Sequence, residues 1–263
     1  IIFEEINEDL GLSFQYQWNT SNQYGFVKKS TLQNTTASQV SVTILDGIQN
    51  ILPYGIASDF QNSTSNLVDA YKKCELEKET GLGIFALSAV IVDKAEPSEA
   101  LKANTVWSLG VQNPTYLISS LQLNTFRKGE EIFQEEDIKA EKGAYFTVQN
   151  LNIAPNQKEE WMLIANVNQN IISIEEVKDQ IKNNPNLSQT IEYSIEAGTE
   201  KLVKLVAASD GLQLGENQPR NTRHFANTLF NIMRGGIFDH NYQIEKEDFI
   251  NYFSKANKEV YAS

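Results

Sequence analysis

The chain has 263 residues, of which 41% are apolar and 21% charged, a composition that excludes disorder and allows a globular protein to bury roughly 75% of its unfolded surface. Its formal charge of −12 repels a phosphate backbone, which argues against nucleic acid as a partner. The longest apolar run, residues 84–92, is much shorter than the ~20 residues of a membrane span, so no membrane segment is predicted.

Cysteine and histidine are scarce in this chain. The single cysteine, Cys74, cannot form an internal disulfide, and two histidines are too few for a usual structural zinc site. We therefore expect no metal and no cofactor. A lone thiol fits a reducing compartment, so a cytoplasmic location is expected, with the periplasm as the alternative. Because the sequence starts at Ile1 without methionine, we expect a piece of a longer protein.

Apolar residues alternate with polar ones through residues 11–172. In residues 12–18 four large apolar side chains alternate with three polar ones, which predicts a strand with one buried face. Residues 24–31 and 40–44 are expected to pair beside it as a meander. Further strands are predicted at residues 84–92, 105–112, 116–126, 144–151 and 161–167. One helix, over residues 66–79, is expected to interrupt them.

The hydrophobic period changes to 3.6 residues after Ile172. Ser173 and Glu176 match a capping box that would open a helix, and further helices are predicted from Ser188 to Asp210, over 221–234 and over 246–259. The fold class predicted is therefore mainly β. An antiparallel β-sandwich domain would occupy residues 1–172, and an α-helical extension packed on it would occupy residues 173–263.

Several motifs that carry chemistry in other proteins occur here in the wrong context. Residues 81–86 match the outline of a dinucleotide-binding loop, but the helix-like segment precedes the loop and the strand follows it, which favours a plain turn. Residues 239–245 alternate like a calcium loop but lack its glycine. The acidic runs 130–131, 135–137 and 159–160 are typical of solvated loops. No catalytic residue is predicted.

Residues 219–240 concentrate an unusual set of cations. The chain has 18 lysines and four arginines, and three of those arginines lie here with both histidines. Arg220, Asn221, Arg223 and His224 stand at a predicted helix start, where planar guanidinium groups and free N–H groups suit a carboxylate, a phosphate or sugar hydroxyls. They are the candidate ligand-binding residues. The alternative is a salt-bridge cluster that ties the helical part to the acidic β region.

The three tryptophans allow a second carbohydrate hypothesis. Trp18, Trp107 and Trp161 lie in predicted strands, where a ring could stack on the C–H face of a sugar. Packing in the core is the preferred interpretation for each of them.

Residues 12–54 resemble the amino-terminal sandwich of carbohydrate-active proteins related to cellobiose phosphorylase, and residues 220–238 resemble the helical linker of proteins of that group. In that superfamily a galactose-mutarotase-like β-sandwich precedes a helical linker and a six-hairpin α/α toroid. The resemblance implies that the chain is the non-catalytic N-terminal region of a glycoside phosphorylase or hydrolase, and inactive alone.

This resemblance also implies partners. The region would support its own C-terminal toroid domain, which carries the catalytic carboxylate in such enzymes. Arg220, Arg223 and His224 would then contribute to the sugar site or to an interface between copies of the chain. The alternative is a free-standing carbohydrate-binding or protein-interaction sandwich. A self-contained mutarotase-like enzyme is disfavoured, because both histidines fall in the helical part.

Overall fold

The computed structural model describes residues 2–91, 100–237 and 243–261. The strands in these ranges are β1 (Ile2–Asn7), β2 (Leu12–Ser21), β3 (Gly25–Asn34), β4 (Val40–Ile51), β5 (Lys72–Glu77), β6 (Leu82–Leu87), β7 (Ala103–Leu109), β8 (Thr115–Ser119), β9 (Asp137–Lys139), β10 (Gly143–Ile153) and β11 (Lys158–Gln169). The helices are α1 (Ser58–Ser63), α2 (Ser65–Tyr71), α3 (Leu123–Arg127), α4 (Ile171–Asn183), α5 (Leu187–Asp210), α6 (Gln218–Met233), α7 (Lys246–Ala256) and α8 (Lys258–Tyr261).

The strands form two antiparallel sheets. One has eight strands in the order β1-β2-β3-β11-β7-β6-β5-β9, and the other has three in the order β4-β10-β8. The prediction of an antiparallel β-sandwich followed by helices is confirmed. The chain divides into two compact units, Ile1–Ile195 and Glu196–Ser263, so α4 and the start of α5 belong to the unit that holds the strands. The predicted domain boundary at residue 172 stays a prediction.

Both faces of the eight-stranded sheet are packed, because each strand directs alternate side chains to opposite faces. Trp107 and Ile164 lie in a core with Ile174 of α4 and Ile191 of α5, which cover the outer face. The inner face packs against the three-stranded sheet through two further clusters, one around Phe85 and Tyr145 and the other around Leu12 and Trp161. The outer face of the smaller sheet is covered by Leu123 and Phe126 of α3.

The helix predicted over residues 66–79 is only half correct. Helix α2 ends at Tyr71, and the chain continues as β5, in which Lys72, Cys74 and Leu76 are buried and alternate with more accessible residues. The spacing of Leu67, Ala70, Tyr71 and Cys74 fits a helix, but pairing with β6 and β9 decides the outcome. Gly81 consequently lies in a β-hairpin turn with φ of +69°, not in a nucleotide-binding loop.

The predicted meander of the first three strands is also wrong. Strand β3 pairs with β2 and β11, whereas β4 leaves for the smaller sheet and pairs with β10. The side chain of Asn34 explains the change of sheet. Its amide nitrogen donates to the carbonyl oxygens of Ser38 and Ile153, at 2.7 and 3.0 Å, and so holds the corner against the end of β10.

Other element boundaries differ from the prediction in smaller ways. The strand predicted over residues 116–126 ends at Ser119, and α3 follows it. The strand predicted over residues 84–92 ends at Leu87, and Val92 lies outside the described residues. Helix α4 begins earlier than predicted, because the side chain of Asn170 caps it by accepting from the Ser173 amide at 2.9 Å. Gly198 does not interrupt α5. The sequence patterns did not indicate β1, β9 or α1.

Cys74 offers a direct test of the inter-sheet core. Its thiol is 2% exposed, and burial raises its pKa from 9.0 to about 12. The native thiolate fraction should therefore be roughly a thousandfold lower than that of a free thiol, since each pKa unit is a factor of ten. We expect Ellman's reagent to label the folded chain slowly at mildly alkaline pH and the chain in guanidinium chloride at once. Rapid labelling under native conditions would contradict this core.

Candidate functional site

A cleft with a volume of about 320 Å³ opens between the sheets beside β1 and β2. Its polar lining consists of Glu5, Asn7 and Asp46, and its rings are Phe14 and Trp161. Five leucine or isoleucine side chains complete it: Leu10, Leu12, Leu32, Ile44 and Leu45. The volume lies near the lower end of the range for small-molecule sites, roughly 300 Å³. We call it the inter-sheet cleft.

Aromatic rings continue from this cleft along the inner face of the large sheet. Directly paired residues of neighbouring strands point to the same face of a sheet. The register pairs Phe3 with Tyr16 and Trp18 with Lys28. These four side chains therefore share the face that is directed toward the smaller sheet. The ring centroids of Phe3 and Tyr16 are 5.0 Å apart, those of Tyr16 and Phe14 are 5.9 Å apart, and those of Phe14 and Trp161 are 6.1 Å apart. We call this row the aromatic ladder.

The ladder runs from solvent into the core. Trp161 is 3% exposed and Phe3 is 48% exposed. Beyond the ladder, Trp18 and Phe26 are also exposed, at 44% and 51%. The smaller sheet has three strands against eight, and the exposure of these rings shows that it leaves part of the inner face of β1 and β2 uncovered, although Leu12 and Phe14 pack against it. An open sheet face with accessible ring faces is thus available to a ligand.

A buried ion pair lies at the base of the cleft. Asp46 accepts hydrogen bonds from Ser30 Oγ at 3.0 Å and Trp161 Nε1 at 2.8 Å, and its other oxygen pairs with the ammonium of Lys28. The side chains of Lys28 and Asp46 are 8% and 12% exposed. Because Asp46 belongs to β4 and its partners belong to β3 and β11, this network joins the two sheets. It also fixes the indole of Trp161, and with it the inner end of the ladder.

This arrangement suits a neutral polyhydroxylated ligand. Ring faces can pack on C–H groups, and the lysine held 5.1 Å from the Tyr16 centroid adds a cation beneath the rings. The Asp46 carboxylate makes three of the roughly four hydrogen bonds it can accept, so an acceptor position remains. Glu5 and Asn7 add exposed polar groups at the rim. These groups can contact the hydroxyls and the C–H faces of such a ligand.

A cavity of about 360 Å³ on the other side of the sheet is larger but less suited to a ligand. An ion pair of 2.6 Å between Lys29 and Glu192 crosses its edge and ties β3 to α5. Ser21 and Ser194 make a second link at 2.7 Å. These contacts hold the helix on the sheet, and the first of them already pairs the lysine of the lining with one of its two carboxylates.

Core packing was the preferred interpretation for all three tryptophans, and it is wrong for one of them. Trp107 and Trp161 are buried at 2% and 3% exposure. Trp18 is accessible, because it lies on the uncovered end of the inner face. The alternation of residues 12–18 correctly predicts a shared face, but it does not show how far the opposite sheet extends.

The residues predicted to bind a ligand lie in the second unit, at the start of α6. Arg220 and Arg223 are exposed, and no ion pair joins either to a carboxylate within residues 196–237 and 243–261. Asn221 is engaged with a loop: its amide nitrogen donates to Gly215 O at 2.7 Å, and its oxygen accepts from Gly215 N at 3.2 Å. His224 is half-buried, with Nε2 3.4 Å from Gly211 O. His240 lies outside the described residues.

Their role as ligand residues therefore stays a prediction. The side chain of Asn217 caps α6 by accepting from the Arg220 amide at 3.1 Å, which already uses one of the N–H groups at the helix start.

Sequence patterns missed two acids of the sandwich whose side chains are largely withdrawn from solvent, Asp46 and Glu135. Asp46 lies at an inward-facing position of β4, in the same alternation as Val42 and Ile44. An acid at a position where the alternation predicts an apolar side chain was the signal that could have identified it. Glu135 belongs to a run interpreted as a solvated loop, but it is 6% exposed. Its carboxylate accepts from the amides of Ile118 and Ser119 at 2.8 Å each. That prediction is wrong for Glu135.

Two searches within the described residues gave negative results. The ranges 2–91, 100–237 and 243–261 hold no group of three or more histidine, cysteine, aspartate or glutamate side chains that could bind a metal ion. In the same part of the chain, no helix combines the length and the apolar character needed to cross a bilayer.

The antiparallel sandwich followed by helices agrees with the architecture that the resemblance to carbohydrate-active enzymes implies. Comparison with family models supports this class: residues 238–263 match glycoside hydrolase family 149 insertion domain 1. The resemblance to carbohydrate-active enzymes is thereby confirmed, and the match supports a part of a glycoside hydrolase family protein. No curated protein matches the chain.

Proposed function

We propose that this chain is a non-catalytic region of a glycoside hydrolase or phosphorylase and that it binds carbohydrate at the inter-sheet cleft and aromatic ladder. The observation that carries the proposal is the ladder itself, in which ring contacts of 5.0 to 6.1 Å connect exposed Phe3 to buried Trp161. A row of rings on an uncovered sheet face exposes apolar area that a purely structural sandwich would bury.

Support also comes from the order of the elements. Strands followed by helices are the order that the resemblance implies for the sandwich and linker of the proteins related to cellobiose phosphorylase. In that arrangement the sandwich would stabilise an α/α toroid that performs the chemistry. Arg220, Arg223 and His224 would then lend side chains to the sugar site of the toroid or to an interface between copies. The buried thiol of Cys74 is compatible with a cytoplasmic enzyme.

A free-standing binding module is the second candidate, and the same cleft favours it. The two candidates agree on what the cleft binds and differ on whether a catalytic domain is attached. Both are therefore subject to the same binding experiment.

The experiment titrates the 263-residue chain with cellohexaose, laminarihexaose and maltohexaose and follows tryptophan emission and heat of binding. We expect saturable binding of at least one of them. Trp18→Ala should remove part of the emission change, because Trp18 is 44% exposed on the same open face, whereas the buried Trp161 lines the cleft and reports on binding there. Phe3→Ala should weaken binding about two- to twelvefold, since an aromatic contact contributes about 0.5–1.5 kcal/mol.

Tyr193→Ala is the matched control. Tyr193 is an aromatic residue of α5 with 74% exposure, and α5 covers the opposite face of the large sheet. We expect this variant to bind like the unmodified chain. The proposal fails if none of the three oligosaccharides binds, or if Tyr193→Ala reduces affinity as much as Phe3→Ala does.

A further inference from the structure

Another cavity, of about 290 Å³, lies between the end of β4, helix α1 and the start of β5. Its polar lining consists of two lysines, three amides and a hydroxyl: Lys72, Lys142, Asn50, Gln61, Asn62 and Ser58. Ile51 and Leu52 complete it, and the lining contains no carboxylate. We call it the lysine cavity. It shares no lining residue with the inter-sheet cleft.

Lys72 is the most unusual member of this lining, because the residue is 2% exposed. Its ammonium donates to Asp69 Oδ1 at 2.7 Å, and this is its one acceptor among the described residues. An ammonium has three N–H donors. Two donors of a buried cation thus remain for a group in the cavity, and a buried donor without an acceptor is costly.

Positive charge exceeds negative charge at this place. Burial raises the pKa of Asp69, but hydrogen bonds from Lys72 and Gln61 and the charges of Lys72 and Lys142 outweigh that effect and hold the pKa below its usual value. One carboxylate therefore balances two ammonium groups. In a chain with a net charge of −12, a cavity lined by two lysines and by no carboxylate is a local exception that suits an anion.

Gln61 narrows the class of anion. Its amide nitrogen donates to Asp69 Oδ1 at 3.2 Å, which orients the side chain. Its oxygen is buried and has no hydrogen-bond partner among the described residues. A ligand that offers one hydroxyl donor together with several acceptor oxygens would satisfy both Gln61 and the two lysines. Hydrogen phosphate has that combination, and sulfate lacks the hydroxyl.

We propose that the lysine cavity binds a phosphate group, free or carried by a small ester. Lys72 and Lys142 supply its positive charge, the side chains of Asn50, Asn62 and Ser58 supply further donors, and the oxygen of Gln61 accepts the phosphate hydroxyl. This site is separate from the proposed carbohydrate surface, so either assignment can fail without the other.

Isothermal titration of the 263-residue chain with sodium phosphate, at constant ionic strength set by chloride, tests the proposal. Saturable binding and a rise in melting temperature are expected, because a ligand that binds the folded state stabilises it. Lys142→Gln should weaken phosphate binding about tenfold or more through loss of one charge. Lys142 is exposed, so this variant should fold even if Lys72→Met does not.

Lys139→Gln is the matched control, because Lys139 is an exposed lysine of β9 that pairs with Asp137 and does not line the cavity. We expect this variant to bind phosphate normally. The proposal is overturned if the unmodified chain shows no saturable binding of phosphate. It is also overturned if Lys142→Gln binds phosphate as tightly as the unmodified chain does, or if Lys139→Gln loses as much affinity as Lys142→Gln. Sulfate that binds as tightly as phosphate would overturn it too, since Gln61 would then have no role.

A parallel titration with glucose 6-phosphate separates the two sources of the phosphate group. Tighter binding than that of inorganic phosphate would assign the cavity to a phosphate ester, and weaker binding would assign it to free phosphate. Both outcomes support the site.

Discussion

Replacing Asp46 by asparagine is expected to lower the free energy of unfolding by about 3–5 kcal/mol, the cost typical of removing one partner of a buried ion pair. The substitution keeps the shape of the side chain but leaves the ammonium of Lys28 buried without its counter-charge. It also weakens the contacts to Ser30 and Trp161 that join the two sheets. Urea unfolding followed by tryptophan emission measures the change.

Two further variants make this test specific. Asp137→Asn changes an exposed acid of β9 and should alter stability by at most about 0.5 kcal/mol. The double variant Lys28→Met with Asp46→Leu removes both charges, and we expect it to recover much of the loss, since apolar residues can replace a buried pair. A change below about 1 kcal/mol in Asp46→Asn would show that the pair contributes little.

Replacing Glu135 by alanine is expected to lower the free energy of unfolding by about 2–4 kcal/mol, because several donors lose one buried acceptor. The carboxylate accepts from the amides of Ile118 and Ser119, from Ser119 Oγ at 3.0 Å and from Gln122 Nε2 at 2.9 Å. These bonds hold the end of β8 against the segment before β9. Thermal unfolding and urea unfolding both report the loss.

Glu136→Ala is the adjacent control for Glu135→Ala. Its carboxylate is 49% exposed and pairs with the exposed Lys78, so we expect little effect. Similar losses in the two variants would contradict the structural role assigned to Glu135. A loss in Glu135→Ala alone would show that neighbouring acids in one run have different functions in the fold.

Alternation and helical period predict element type well where one face of an element is buried. Strand β2 begins at the predicted residue 12, and α5 and α6 cover most of their predicted ranges. The same reasoning failed over residues 72–77, where helical spacing and alternation coexist. There the partner strands β6 and β9 determine the conformation, and a single sequence does not display its partners.

The candidate site was less predictable than the fold. The tryptophan hypothesis pointed to ring surfaces, and the structure places Trp18 and Trp161 on one face at very different depths. The arginine cluster of α6 is exposed and remains untested as a ligand site. Asp46 was not singled out: its place in the alternation after Val42 and Ile44 indicates an inward position, but the partners that it joins, Lys28 and Trp161, are distant in the sequence.

By itself, the sequence determined that strands precede helices, that the strands are amphipathic and that the chain is acidic with one thiol. These properties follow from local spacing and composition. Only the tertiary structure decided that β4 changes sheets, that Lys28 and Glu135 are buried with Asp46 largely withdrawn from solvent, and that Trp18 and Phe3 stay accessible. The reason is physical: burial depends on which distant strand lies opposite a residue, and in this sandwich the smaller sheet covers only part of the larger one.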